Sequence, residues 1–186
     1  MEEALDKIRE FADEAHGEQM RKYTPERYIV HPVRVMETCR NYDAGLPILA
    51  AALLHDVLED TPVGSHNLLA FLETVMGENE AGKTLRLVQE LTDVYVKSAY
   101  PQWNRKTRKK KELERIATTS ADAQTIKYAD IIDNSTEIVL HDPGFAGRYL
   151  KESHDILRQA DKGNSTLRKE ALKTIENALR LLKNNV

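Results

Sequence analysis

Apolar residues recur at helical spacing along most of this chain, and that periodicity limits the fold more than any other feature. Ala4, Leu5, Ile8, Phe11, Ala12 and Ala15 make an i, i+3, i+4 stripe. Leu85, Leu87, Val88 and Leu91 make another, and Ile126, Ala129, Ile132 and Val139 a third. No stretch alternates with the two-residue period of a strand over a useful length. The 8 glycines and 6 prolines fall mostly between the periodic segments, where they act as punctuation. The spacing predicts an all-α fold: a compact multi-helix bundle.

Particular residues place the helices. Pro32 suits a first helical turn, where its missing N–H costs nothing, and opens a helix that fades by Asn41. Leu46 to about Leu58 reads as a helix apolar on most sides, hence central. Ser65 is expected to cap a helix through Met76, with Gly77 stopping it. A basic run opens a helix over about 104–118, and Ser120 caps the next. Asp142-Pro143-Gly144 reads as a turn before helices at about 146–160 and 166–184. The 186 residues carry no internal repeat and no Gly/Ser-rich linker, so 1–186 is expected to be a single domain.

Composition excludes several classes. With 41% hydrophobic and 31% charged residues, the chain has neither a disordered nor a membrane-embedded profile. No apolar run nears the roughly 20 residues that span a bilayer. The start, MEEALDKIREFADEA, is acidic and amphipathic, unlike a secretory signal. The lone cysteine, Cys39, allows no internal disulfide and fits a reducing compartment, so a cytoplasmic location is expected. At a net charge of −3, polyanion binding would need a local patch.

Against this background, AALLHDVLEDT (51–61) stands out. His55, Asp56, Glu59 and Asp60 crowd the end of an Ala/Leu-rich helix, where ionisable groups are costly unless neutralised or coordinated. On a continuous helix, His55 shares a face with Glu59 and Asp56 with Asp60. An adjacent His-Asp pair needs further ligands from elsewhere to close a metal site. His31, before Pro32, is one candidate; Asp130, among apolar neighbours in TIKYADIIDN, is another. The plain alternatives are a solvated helix end for His55-Asp56 and a solvated carboxylate for Asp130, the reading that fits Asp133 better. Two imidazoles, two carboxylates and no thiolate suit Mn²⁺ first, then Fe²⁺ or Mg²⁺, rather than structural zinc. Such an ion lowers the pKa of bound water and offsets charge on a phosphoryl oxygen. Glu59 and Asp60 are then available for proton transfer or for orienting the water.

The order His31, His55-Asp56, Asp130 resembles the HD superfamily of metal-dependent phosphohydrolases. AHGEQMRK (15–22), YIVHP (28–32), AALLHDVLEDT (51–61), ELTD (90–93) and IKYADIIDN (126–134) narrow it. Together they resemble the hydrolase domain of RelA/SpoT-type alarmone enzymes and their small stand-alone relatives. The likeness spans roughly 5–140; the helices at 146–184 carry no motif. HDVLEDT is the most specific piece. The resemblance implies an HD-domain bundle that hydrolyses the 3′-pyrophosphate of guanosine tetra- or pentaphosphate. It implies Mn²⁺ on His31, His55, Asp56 and Asp130, catalysis by Glu59 and Asp60, phosphate or base binding by Arg21 and Lys22, and ribose contact by Asn134. Without the flanking motifs, Arg21 and Lys22 read as exposed loop cations.

Two departures bear on the substrate. Ile131 stands where the family commonly has a basic residue, and Tyr23, Thr24, Pro25, Glu26 and Arg27 replace a usual glycine. Ile131 favours a second reading, a nucleotidase or phosphodiesterase on another nucleotide such as NADPH. A third, a non-catalytic nucleotide or nucleic-acid module, would use the basic run RKTRKKK (105–111). That run reads first as a solvated helix face and second as a polyphosphate-steering patch; nucleic acid is not the expected partner, and no membrane is. Tyr95, Tyr100 and Trp103 read as core packing before a base pocket. His66, His141 and His154 read as surface or capping residues.

Overall fold

The computed structural model describes residues 1–184. Among them are ten α-helices and no strand; the one β-type pairing is an isolated bridge between Met20 and Arg27. The all-α expectation therefore holds. No helix among the described residues is long and apolar enough to cross a membrane. The chain forms two compact units, one over Met1–Thr92 and one from Asp93 onward.

The first unit holds α1 (Glu2–His16), α2 (Val30–Arg40), α3 (Leu46–Leu54), α4 (Val57–Asp60), α5 (Ser65–Val75) and α6 (Glu78–Leu91). Its centre is α3, buried at every position from Leu49 to Leu54. Three consecutive alanines, Ala50 to Ala52, keep its surface shallow, and α1, α2 and α6 pack against it. They supply Leu5, Ile8 and Ala12, then Val35, Met36 and Cys39, then Leu87 and Val88. Each large side chain buried there contributes about 1.5–3 kcal/mol. Phe11 stacks on Phe71 with ring centroids 4.0 Å apart and joins α1 to α5.

Two local expectations change in this unit. The central helix stops at Leu54 rather than near Leu58: His55 and Asp56 form a turn, and α4 restarts as a single turn. Asp56 sits at φ −98°, ψ −6°, in the sparsely used bridge region that breaks helical continuity. The shared faces argued from a continuous helix therefore do not exist. Ser65 is the first helical residue of α5 and does not cap it; Gly64 holds the extended N-cap position.

The second unit holds α7 (Arg105–Ile116), α8 (Ala121–His141), α9 (Pro143–Gln159) and α10 (Ser165–Asn184). Side-chain caps start all four of these helices, Asn164 accepting from Thr166 N and Leu167 N ahead of α10. Asn104 accepts from Thr107 N, Ser120 from Ala123 N, and Asp142 from Phe145 N. Each such cap is worth about 1 kcal/mol. The expected turn at Asp142-Pro143-Gly144 is thus the cap and first turn of α9, with proline where its lost N–H costs nothing. Glu112, 3% exposed, accepts the backbone N–H groups of Val94 and Tyr95 at 3.1 and 3.0 Å, and Arg115 pairs with its other oxygen.

Helix α8 is the core of this unit, and α9 and α10 pack against it. The α9–α10 connection is tied onto it by polar contacts. Tyr128 donates to Ala160 O at 2.7 Å, Lys162 N to Gln124 Oε1 at 2.8 Å, and Asn164 N to Thr125 Oγ1 at 2.9 Å. Gly163 lies so close that a Cβ there would fall 2.6 Å from Tyr128 Cε2 and 2.8 Å from Thr125 N.

The basic run lies along α7 largely as a solvated face with carboxylate partners: Arg105 pairs with Glu152, Lys109 with Asp93 and Lys111 with Glu114. Tyr95, Tyr100 and Trp103 do not pack in the core. They are half-buried and stack on one another, Tyr100 on Trp103 at 4.6 Å, because this segment has no helix to direct its rings inward.

Candidate metal centre

The break in the helix at 55–56 builds the site of the first unit. An uninterrupted helix would set neighbouring side chains about 100° apart. The turn instead brings His55 Nε2 to 2.9 Å from Asp56 Oδ2. His31, on the first turn of α2, places its Nε2 3.8 Å from the same oxygen. One donor atom from each of His31, His55 and Asp56 lies within 4.8 Å of the others. The imidazoles are 1% and 4% exposed, and their rings meet edge-on at 5.1 Å.

The donor set fits a cation on chemical grounds. His55 Nδ1 is 2.8 Å from the carbonyl of Ala52. A carbonyl only accepts, so Nδ1 carries the proton, and in the neutral ring Nε2 presents a lone pair to Asp56 Oδ2. Two acceptors at that separation need positive charge between them. Metal–ligand bonds of about 2.0–2.2 Å put donor atoms roughly 3 to 4.4 Å apart, close to the 2.9 and 3.8 Å that separate Asp56 Oδ2 from the two imidazole nitrogens. A backbone carbonyl that fixes the tautomer of a ligating histidine is a common outer partner of such sites.

Glu59 and Asp60 stand exposed on α4, directly after the dyad. Their backbone N–H groups both donate to Asp56 O, at 3.1 and 2.8 Å, so the turn that presents them hangs from the metal-candidate residue. Asp60 Oδ2 also lies 3.4 Å from Gln19 Nε2. Arg21 and Lys22 lie in the α1–α2 connection, which Gly17 opens at φ 55° and the Met20–Arg27 bridge closes. The Arg21 guanidinium sits 5.9 Å from the Tyr28 ring centroid, and Lys22 Nζ is 2.8 Å from Tyr23 Oη. The five residues replacing the usual glycine brace this loop: Glu26 accepts from Thr24 and Arg34, and Arg27 pairs with Asp13.

Asp130 and Asn134 belong to the second unit, on α8. Asp130 is 6% exposed; its Oδ2 accepts from Lys127 Nζ at 2.8 Å and its Oδ1 from Asn134 Nδ2 at 2.6 Å. Burial pushes the Lys127 ammonium toward neutrality, but Asp130 and then Asp93 outweigh it, so its pKa lies above the ordinary lysine value. Burial and then the Asp130 charge raise the Tyr149 phenol. Ile131 is 1% exposed and packs in the core.

Tyr28, His16 and Lys127 are site residues that the sequence reading passed over. Tyr28 donates to Asp56 Oδ2 at 2.6 Å, and its ring lies 4.5 Å from that of His16. A tyrosine in a polar loop gives no periodic signal. Lys127 was legible: it stands three residues before Asp130, the spacing of an ion pair on one helix face.

Residues 9–139 match the family described as HD domain. A guanosine-3′,5′-bis(diphosphate) 3′-pyrophosphohydrolase named MESH1 from Drosophila melanogaster is 34% identical over 140 residues, covering 72% of this chain and 69% of that one. A guanosine-3′,5′-bis(diphosphate) 3′-pyrophosphohydrolase from Aquifex aeolicus is 34% identical over 71% of this chain, which spans only 17% of its length. A solved structure described as a metazoan ortholog of SpoT that hydrolyzes ppGpp superposes with a TM-score of 0.76 at 25% identity, covering 96% of both chains. An HD domain implies a divalent metal, and the histidines and aspartate of the first unit suit one. The chain therefore belongs to the HD domain family, as a relative of the MESH1 proteins.

Proposed function

We propose that this protein is a divalent-metal phosphohydrolase that removes the 3′-pyrophosphate of guanosine tetra- or pentaphosphate, releasing pyrophosphate and GDP or GTP. One observation carries the reading: His31, His55 and Asp56 converge within 4.8 Å, in a chain 72% of whose length aligns with a named 3′-pyrophosphohydrolase. His31, His55 and Asp56 would hold the ion, with Asp130 proposed as the fourth ligand; Mn²⁺ is the first choice and Fe²⁺ and Mg²⁺ are the alternatives. When bound, it supplies a Lewis acid that offsets charge on the phosphoryl group and acidifies water.

The chain's own groups do the rest. Glu59 takes the proton from the attacking water and Asp60 orients it, as exposed carboxylates within one turn of the dyad are suited to do. Arg21 and Lys22 bind phosphate, the guanidinium as a fork and the ammonium as a point charge. Asn134 contacts the ribose. Residues 1–186 act as one HD hydrolase domain; the family match at 9–139 includes residues of both units and supports this. The buried thiol of Cys39 supports a cytoplasmic location.

Incubation with Mn²⁺ and guanosine tetraphosphate is expected to yield GDP and pyrophosphate; no product with Mn²⁺, Fe²⁺ or Mg²⁺ would overturn the reading. The burial of Ile131 at a position usually basic favours one competitor, the same metal chemistry on another nucleotide. Relative kcat/KM over a nucleotide panel that includes NADPH decides between them.

A further inference from the structure

Tyr28 touches three residues of the proposed site, Asp56, His31 and Arg21. Its hydroxyl donates to Asp56 Oδ2 at 2.6 Å, the oxygen that both imidazoles face. Its carbonyl accepts the backbone N–H of His31 at 3.0 Å, at the start of α2. Its own N–H donates to Gln19 O at 2.9 Å, beside the Met20–Arg27 bridge. Its ring carries the Arg21 guanidinium 5.9 Å from the centroid, His16 at 4.5 Å, and the edge of His31 at 5.9 Å.

We propose that Tyr28 is a positioning residue for two parts of the site at once: its hydroxyl sets the ligating oxygen of Asp56, and its ring seats Arg21. This rests on the reading that His31, His55 and Asp56 hold a divalent metal. A carboxylate oxygen has two lone-pair directions. The phenol takes one of them, which orients the carboxylate and directs the other toward the imidazole nitrogens. Hydrogen bonds of this kind to ligating carboxylates typically carry 10–100-fold in metal affinity. The ring acts separately: a guanidinium within about 6 Å of an aromatic centroid is held by the ring quadrupole, and that attraction does not need the hydroxyl.

The two arms separate by substitution. Protein stripped by a chelator is titrated with Mn²⁺ in a calorimeter, and the metal-free thermal midpoint is recorded for each variant. Tyr28→Phe keeps the ring and its packing, so the metal-free midpoint is expected to stay near wild type while the Mn²⁺ Kd weakens roughly 10–100-fold. Tyr28→Leu is expected to weaken Mn²⁺ similarly and, at saturating Mn²⁺, to raise KM for guanosine tetraphosphate several-fold above the Phe variant. A purely structural tyrosine would lower the midpoint and leave the Mn²⁺ Kd of the folded protein unchanged. A Phe variant that binds Mn²⁺ as tightly as wild type overturns the hydroxyl's role and leaves the metal reading standing. Wild-type protein that binds no Mn²⁺, Fe²⁺ or Mg²⁺ overturns the metal reading, and the proposal with it. The Phe variant decides the hydroxyl arm even if the Leu variant does not fold; Tyr28→Met then reads the ring arm, with a KM above that of the Phe variant expected and an equal one overturning it.

Discussion

Each unit carries one of the candidate aspartates, Asp56 with a side chain 23% exposed and Asp130 buried, and their surroundings differ. In the first, Asp56 faces two imidazole nitrogens, and a phenol donates to it from outside. In the second, Asp130 already has an ammonium on one oxygen and an amide on the other. The first set of donors suits a cation from solution; the second holds an ammonium on its own helix, which a metal taking Asp130 as its fourth ligand would have to displace. Two carboxylates proposed for one metal thus differ in the charge of the groups around them, and that difference is what substitution can read.

Substitutions test that contrast, and the largest effect belongs to the first unit. Asp56→Ala is expected to abolish Mn²⁺ binding and turnover together, read by titration and by pyrophosphate release. Retained metal binding would place the centre elsewhere. Glu59→Ala should leave the Mn²⁺ Kd in place and lower kcat about 10²–10⁴-fold, the usual contribution of a positioned proton acceptor. Loss of metal in this variant would erase the division between ligands and working carboxylates.

In the second unit, Lys127→Met leaves Asp130 without its ammonium and is expected to cost about 1–3 kcal/mol in urea unfolding. The value stays below that of a fully buried pair because the lysine side chain is 24% exposed. A lysine raised in the folded state contributes its stability below the unfolded pKa of about 10.4 and loses it as pH rises through the folded value. The deficit should therefore be constant from about pH 6 to 9. The smallest effect concerns Cys39, whose thiol burial pushes up to about 12. At pH ~8 it should resist iodoacetamide until the protein unfolds. Its contribution to stability is intact below about pH 8.5 and falls as pH climbs toward the folded value, because the unfolded chain gives up the proton first.

Most of the helices could be read from the chain, since the stripe of α10 (Leu167, Ala171, Ile175, Ala178) and the caps Asn104 and Ser120 are local signals. The break at His55-Asp56 was not legible, because LLHDVLED has good helical periodicity and no glycine or proline. The turn is set by what the dyad faces, including His31, 24 residues before it in the chain. Tyr28 was hidden for the same reason: its partner Asp56 is 28 residues away. The identity of the candidate ligands was readable from residue type, whereas their support depends on contacts distant in sequence.

The family's pattern ends at residue 139, yet the helix bearing Asp130 and Asn134 is held from beyond that point. Gly163 is where this dependence is strictest, since even alanine would drive a methyl into Tyr128 and the Thr125 backbone. Drift should thus be free along the outer faces of α9 and α10 and nearly absent at one small residue in the turn between them. A chain cut after α8 would keep every motif residue and lose what keeps that helix in place. The tail without a signature is a condition for the signature to work.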